Sequence, residues 1–315
     1  MKKLLIIGIF LSSILLLIGG CTSKSPLATP TAGYEVKDSQ GHIVKLTNKP
    51  SRIVSLSLGA DEILVGLVPA ERILALTYLA DDPSISNIVE QAKLIPKKVK
   101  GNGEGIIALQ PDLLFIADWQ PVELIQILRD AGIPVYVYKT PQTIADVKLV
   151  IREIAHAVGE EEVGQQIVNQ MEQRLLKVQK SLEQISPAER KTVILFSLMG
   201  GIGGKESLFD DICQYAGVVN GASKVGVRKY DLMSKEQIVE ANPDVFIISM
   251  EDYIGKRDAN QFKSEIKADP AFQTLTAVKQ QQLVMIPDSH LTSTSQYIAR
   301  GVEDVAKAAY PQLEL

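Results

Sequence analysis

The chain has 315 residues, of which 33 are Lys or Arg and 37 are Asp or Glu, giving a formal charge of −4, with 46% apolar residues. It carries no basic excess that would attract nucleic acid, and its length suits two domains of ordinary size. The first element in chain order is a leader: Met1-Lys2-Lys3 is a short basic region, followed by an apolar run over 4–18 and then Gly19-Gly20-Cys21. This is the layout of a secretory signal, too short and too quickly followed by small residues for an ordinary membrane span.

Cys21 after Ile18-Gly19-Gly20 resembles a bacterial lipoprotein signal, in which the cysteine is lipidated and becomes the new N-terminus. Such acyl chains anchor at about 0.8 kcal/mol per buried methylene. Residues 22–32, rich in Ser, Thr and Pro, read as a tether. Removing residues 1–20 leaves 295 residues and, without Lys2 and Lys3, a charge of −6. Cys213 is then the only other cysteine, so no intramolecular disulfide is expected, and it reads as a small buried hydrophobe.

Residues 34–46 alternate around a turn at 39–41 and predict a hairpin, with His42 beside the turn. Strands and helices then alternate: a strand at 52–56, a helix at 60–67, a strand at 73–75, a helix at 122–131, a strand at 134–138 and a helix at 144–158. That order predicts a mostly parallel sheet with helices on both faces and ligands at the carboxyl ends of the strands. Ser57, Tyr78, Trp119 and Tyr138 or Lys139 each follow a predicted strand and fall on one edge of this lobe.

Residues 161–185, EEVGQQIVNQMEQRLLKVQKSLEQI, place Val163, Ile167, Met171, Leu175, Val178, Leu182 and Ile185 at steps of three or four. They predict one long half-exposed helix, stopped by Pro187 and long enough to join two domains. On its two sides the sequence repeats at a constant offset of 132. Residues 103–116 and 235–248 each read as a Glu-opened short helix (Glu104, Glu236), an amide-Pro-Asp turn (Gln110-Pro111-Asp112, Asn242-Pro243-Asp244) and a buried strand. The two glutamates should therefore project from similar surfaces of two lobes, although helix capping alone would also explain them.

In the second half a strand at 192–196 leads into the glycine-rich run 197–207. This is not a phosphate loop, because Met199 stands five residues before Gly204 and Glu206 replaces the magnesium-contacting Ser or Thr. It reads as a loop or hairpin open to a ligand. A helix at 208–216, a loop with Arg228, Lys229 and Tyr230, the second repeat unit, and a polar excursion after Met250-Glu251-Asp252 follow. A strand at 283–286, a loop with Asp288 and His290, and a helix at 295–309 complete the chain. The 3 histidines form no HxxxH or HExxH pair, and CxxC and G-x-S-x-G are absent, so neither a histidine metal site nor a nucleophile elbow is expected.

Arg52-Ile53-Val54-Ser55-Leu56 with Asp61-Glu62-Ile63-Leu64, Ile107-Ala108-Leu109-Gln110-Pro111-Asp112, Gly132-Ile133-Pro134-Val135, Ser234-Lys235-Glu236-Gln237, Asn242-Pro243-Asp244 and Ala277-Val278-Lys279 together resemble the substrate-binding lipoproteins of ABC importers for ferric siderophores, haem and cobalamin. The resemblance runs from about 34 to 311. It implies an α/β fold of two Rossmann-like lobes joined by one long α-helix: signal peptide 1–20, lipidated tether 21–33, N-terminal lobe 34–160, bridging helix 161–186 and C-terminal lobe 187–315. It further implies a non-enzymatic, extracytoplasmic monomer without a resident cofactor or protein-bound metal, which holds a metal chelate between the lobes. Tyr78, Trp119, Met199, Gly201, Tyr230, Asp288 and His290 would face that ligand, and Glu104 and Glu236 would dock on arginines of a permease dimer that works with ATPase subunits. A corrinoid or a ferric siderophore is the expected ligand. Haem through His290 or Tyr230, molybdate or tungstate, a chelatase-like enzyme on the same architecture, and a surface lipoprotein without a small ligand are the alternatives.

Overall fold

Short apolar strands separated by amphipathic helices can bury both faces of a sheet only if the helices cross it on alternate sides. The computed structural model, which describes residues 33–197, 199–249 and 259–314, shows this twice. The leader, the tether with Cys21 and the stretch from Met250 to Asp258 lie outside the described residues.

The chain opens with the antiparallel hairpin of β1 (Tyr34–Lys37) and β2 (Ile43–Leu46), in the register Tyr34 opposite Leu46. The first parallel sheet follows, made of β3 (Ile53–Ser55), β4 (Ile73–Thr77), β5 (Lys98–Val99), β6 (Leu113–Ala117) and β7 (Val135–Tyr138), in the order β5-β4-β3-β6-β7. The second is made of β8 (Thr192–Ser197), β9 (Gly200–Ile202), β10 (Val219–Asn220), β11 (Val245–Ser249) and β12 (Leu283–Ile286). Its parallel order is β10-β8-β11-β12, and β9 folds back antiparallel on β8. The glycine-rich run is thus a hairpin. The two-residue strands β5 and β10 carry no sequence period and were not expected. Residues 288–291, read as loop, are a single helical turn, as are 276–279.

Alternation along the strands sorts the core. Leu114 and Ile116 meet Ile106, Ile125 and Leu128 on the outer face of the first sheet. Phe196, Phe246 and Ile248 meet Phe262 and Phe272 on that of the second. The opposite faces, with Phe115 and Tyr136 in one sheet and Val193 and Ile247 in the other, belong to one continuous apolar cluster.

The long helix, Glu161–Ser181, carries that continuity, and a 3-10 turn at Leu182–Gln184 extends it. At 1.5 Å per residue it spans about 32 Å. Its buried side is Gly164, Val168, Met171, Leu175 and Val178, whereas Val163, Ile167, Leu182 and Ile185 are only partly covered. The buried stripe is therefore rotated toward Gly164 and Val168, because the helix is sandwiched between the helices Ile144–Val158 and Ile298–Ala309. Gly159 makes the reversal into it possible, with a left-handed φ of 70°.

The internal repeat has a structural explanation. Gln110 (φ 50°) and Asn242 (φ 41°) end their helices in the left-handed conformation, and the proline behind each prevents continuation. The aspartates then grip the head of the leading strand in each sheet. Asp112 accepts from the Ser51 and Arg52 amides at 2.7 and 2.9 Å, and Asp244 from the Thr192 amide at 2.8 Å.

Candidate functional site

In an open parallel sheet the order reverses beside the leading strand, and the loops diverging there leave a crevice at the carboxyl ends. In the first sheet that point lies between β3 and its neighbours β4 and β6. The segments leaving those three strands carry Ser57, Tyr78 and Trp119.

Tyr78 opens a 3-10 turn directly behind β4 and is 50% exposed, with the Lys100 ammonium 5.1 Å from its ring centre. Trp119 stands in the turn behind β6 and is 65% exposed. Its neighbours hold it: Asp118 accepts from the Thr140 amide and hydroxyl at 3.0 and 2.6 Å, and Gln120 donates to the Leu56 carbonyl at 3.3 Å. Ser57 and Tyr138, placed on this edge from the sequence, are buried instead, and their hydroxyls bond each other. Ser57 also caps the helix Leu58–Leu67. Burial raises the Tyr138 phenol above its ordinary range, so it stays protonated and neutral.

Two acidic residues on that helix are fully enclosed. Asp61 accepts from the Thr77 amide at 3.1 Å and from its hydroxyl at 2.5 Å, which fixes the end of β4 immediately before Tyr78. Burial pushes its carboxyl up to about 8, with the bonds from Thr77 and Ser55 offsetting only part of the desolvation. Glu62 is raised by burial as well.

On the second sheet Met199, 69% exposed, lines a cavity of about 310 Å3 with Phe196, Met233, Lys235, Phe262 and Phe272. Gly201 is buried: its carbonyl accepts the Met233 amide at 2.9 Å, and a Cβ there would come within 2.6 Å of the Met233 sulfur. The glycine thus admits methionine packing and is not an exposed backbone edge. Tyr230 is 86% exposed, with the Lys229 ammonium 4.7 Å from its ring centre. Asp288 is buried beyond β12 and accepts from the Ser249 hydroxyl at the end of β11 at 2.6 Å. The His290 ring turns to the C-terminal helix, where Nδ1 meets the Asp304 carboxylate at 2.6 Å. Tyr78, Trp119, Met199 and Tyr230 are therefore presented to solvent, whereas Gly201, Asp288 and His290 are engaged within the protein. Among the described residues no group of three or more His, Cys, Asp or Glu could hold a metal ion.

Glu104 and Glu236 are exposed in the first turns of their helices, capped by Asn102 and Ser234. Hydrogen bonds from its own amide and from Ser234 hold the Glu236 carboxyl below the usual range, keeping it ionised.

Sequence reading gave no role to Lys100 or to the enclosed pair Asp61 and Glu62. Adjacent carboxylates inside the apolar run LGADEILVGL were the one available signal. Among the described residues no helix is long and apolar enough to cross a membrane.

Comparison with known proteins agrees with this architecture. The chain is 26% identical over 296 residues to the ABC transporter substrate-binding lipoprotein YvrC of Bacillus subtilis, covering 92% of this chain and 89% of that one. It is 24% identical to a vitamin B12-binding protein of Pectobacterium atrosepticum over 63% of this chain and 71% of that protein. The periplasmic heme-binding protein RhuT from Roseiflexus superposes with a TM-score of 0.70 at 22% identity, covering 83% of this chain and 98% of that one. The sequence profile described as periplasmic binding protein matches residues 53–290. With that match spanning both sheets and the long helix, the chain belongs to the periplasmic binding protein family, the non-enzymatic solute receptors that work with the permease and ATPase components of ABC transporters.

Proposed function

We propose that this protein captures a metal chelate, a ferric siderophore or a corrinoid, in a cleft between the carboxyl edges of its two parallel sheets. As a monomer held outside the cytoplasm by lipid on Cys21, it delivers that ligand to the permease dimer of an ABC importer through Glu104 and Glu236. The observation that carries the reading is Trp119. The only tryptophan in the chain lies 65% exposed at the switch point of the first sheet, where burial in either core would have removed far more apolar surface from water. Tyr78 and Tyr230 add two more exposed rings, each faced by a lysine. Aromatic faces suit a large conjugated or hydrophobic chelate, and ammonium groups suit its anionic substituents.

A single tryptophan makes the test direct. Titration with cobalamin, cobinamide, haem, ferric siderophores and molybdate should quench Trp119 fluorescence and raise the melting temperature for one of the chelates by mass action. Trp119→Ala should weaken that binding while the protein remains folded. If no compound in the panel moves either signal, the reading fails; a response to haem or molybdate alone selects those ligands on the same fold. E104R combined with E236R should abolish uptake and leave ligand affinity intact. Loss of affinity would instead place the two glutamates in the pocket.

A further inference from the structure

The chain crosses from the first sheet to the second through the helices Ile144–Val158 and Glu161–Ser181, yet a second, non-covalent bridge lies just behind the carboxyl edges of the sheets. Glu62, 1% exposed, sits one turn into the helix that leaves β3. Its Oε1 accepts from the amide and the side-chain nitrogen of Asn87, both at 2.9 Å. Its Oε2 accepts from the hydroxyls of Ser293 and Ser295, at 2.9 and 2.5 Å, more than 230 residues away in sequence.

Further bonds converge on the same place. Gln296 donates to the Glu62 backbone carbonyl at 2.8 Å, and Asn87 Nδ2 donates to the Ser289 carbonyl at 2.7 Å. Arg300 reaches Asn87 Oδ1 at 3.4 Å. Gly59 faces Thr294 so closely that a Cβ would overlap its hydroxyl, so the segment behind β12 lies directly on the helix behind β3.

We infer that Glu62 is a positioning residue: by tying the helix behind β3 to the segment behind β12, its carboxylate fixes the separation of the two edges. Four donors converge on one enclosed side chain. Removing it leaves the partly buried Asn87 and the buried Ser293 and Ser295 without that acceptor, and opening the tie is then the cheapest way to rehydrate them. Only the importance of this separation for ligand capture rests on the proposed function; the tie itself is made by side chains of the protein alone.

The test therefore uses no ligand. Nitroxides carried on ketone-bearing residues introduced at Glu123 and Glu240, one exposed site beside each sheet, report the distance between the lobes and leave the cysteines untouched. Wild type should give one narrow distance distribution. E62A should broaden or shift it, and amides in 86–88 and 293–297 should exchange about tenfold faster or more, with 113–117 and 245–249 unchanged. E62Q should restore most of the narrowness, because its carbonyl still accepts from Asn87 and its amide can donate to the serine hydroxyls. The double variant S293A/S295A should loosen the tie without touching the helix, and it decides the question if E62A fails to fold. The inference is overturned if that double variant and E62A both keep the wild-type distribution and exchange, or if E62Q is as loose as E62A. Neither result depends on whether a chelate is ever found to bind.

Discussion

Gly164 is buried in the long helix where two principles oppose each other. Intrinsic propensity favours Gly164→Ala by about 1 kcal/mol, because glycine is a poor helix former. Packing says the reverse. A Cβ at 164 would overlap the Ala155 Cβ, with the Ile151 carbonyl and a Leu67 methyl both 3.7 Å away. Ala155 has no flexible end to swing aside, so the helices Ile144–Val158 and Glu161–Ser181 would have to separate by roughly an ångström to restore carbon contact. Overpacking of this kind costs about 1–3 kcal/mol, which outweighs the propensity gain, and strain on both helix backbones puts this site toward the upper end.

Gly105 is the control. It is exposed in the helix Gly103–Leu109, and its nearest atom to an added Cβ is 3.8 Å away, so Gly105→Ala should stabilise by about 0.5–1 kcal/mol. Urea unfolding at 25 °C should show a lower midpoint for G164A and a higher one for G105A, each with an unchanged slope. If G164A is as stable as wild type or more so, the two helices are not held as closely as the structure shows. The long helix would then not be seated on the helix Ile144–Val158 by shape.

Asp61 gives a pH signature of unusual sign. Its proton leaves the unfolded chain near pH 4 and the folded protein at about 8, so between those values the folded state binds more protons and each rise in pH favours unfolding. Its contribution is intact below pH 4, falls through that window and is constant above 8; Asp61→Asn should remove a slope of up to about 1.4 kcal/mol per pH unit, and equal slopes for variant and wild type between pH 5 and 7 would refute the assignment. At the hairpin, the fully enclosed Asp38 carboxylate accepts from Arg129 at 2.7 Å and from the Gln40 and His42 amides. Arg129→Ala leaves that charge without its cation and should cost about 3–5 kcal/mol in urea unfolding, with the hairpin amides exchanging first; a loss below about 1 kcal/mol would show that the charge is not enclosed.

The alternation of strands and helices, the two parallel sheets, the long helix and the repeated Glu-helix-Pro-Asp unit were legible in the sequence. Each is written in local chemistry: period two or a short apolar run for a strand, period three to four for a helix, an amide-Pro pair for a stop. Tyr78, Trp119 and Met199 could be placed at strand ends and Tyr230 in a loop by the same means, because a loop position needs only its flanking elements. Gly201, Asp288 and His290 could not be judged this way, since their partners Met233, Ser249 and Asp304 lie 14 to 39 residues along the chain.

What the sequence alone determined, then, is which residues lie on which side of each element. Only the tertiary structure decided what those sides meet. It turned the buried stripe of the long helix toward Gly164, set Lys100 on Tyr78, enclosed Asp61, and brought Ser293 and Ser295 to Glu62. Periodicity records the polarity of a face and carries no term for a contact between side chains on different elements, so those pairings exist only once the elements have packed together.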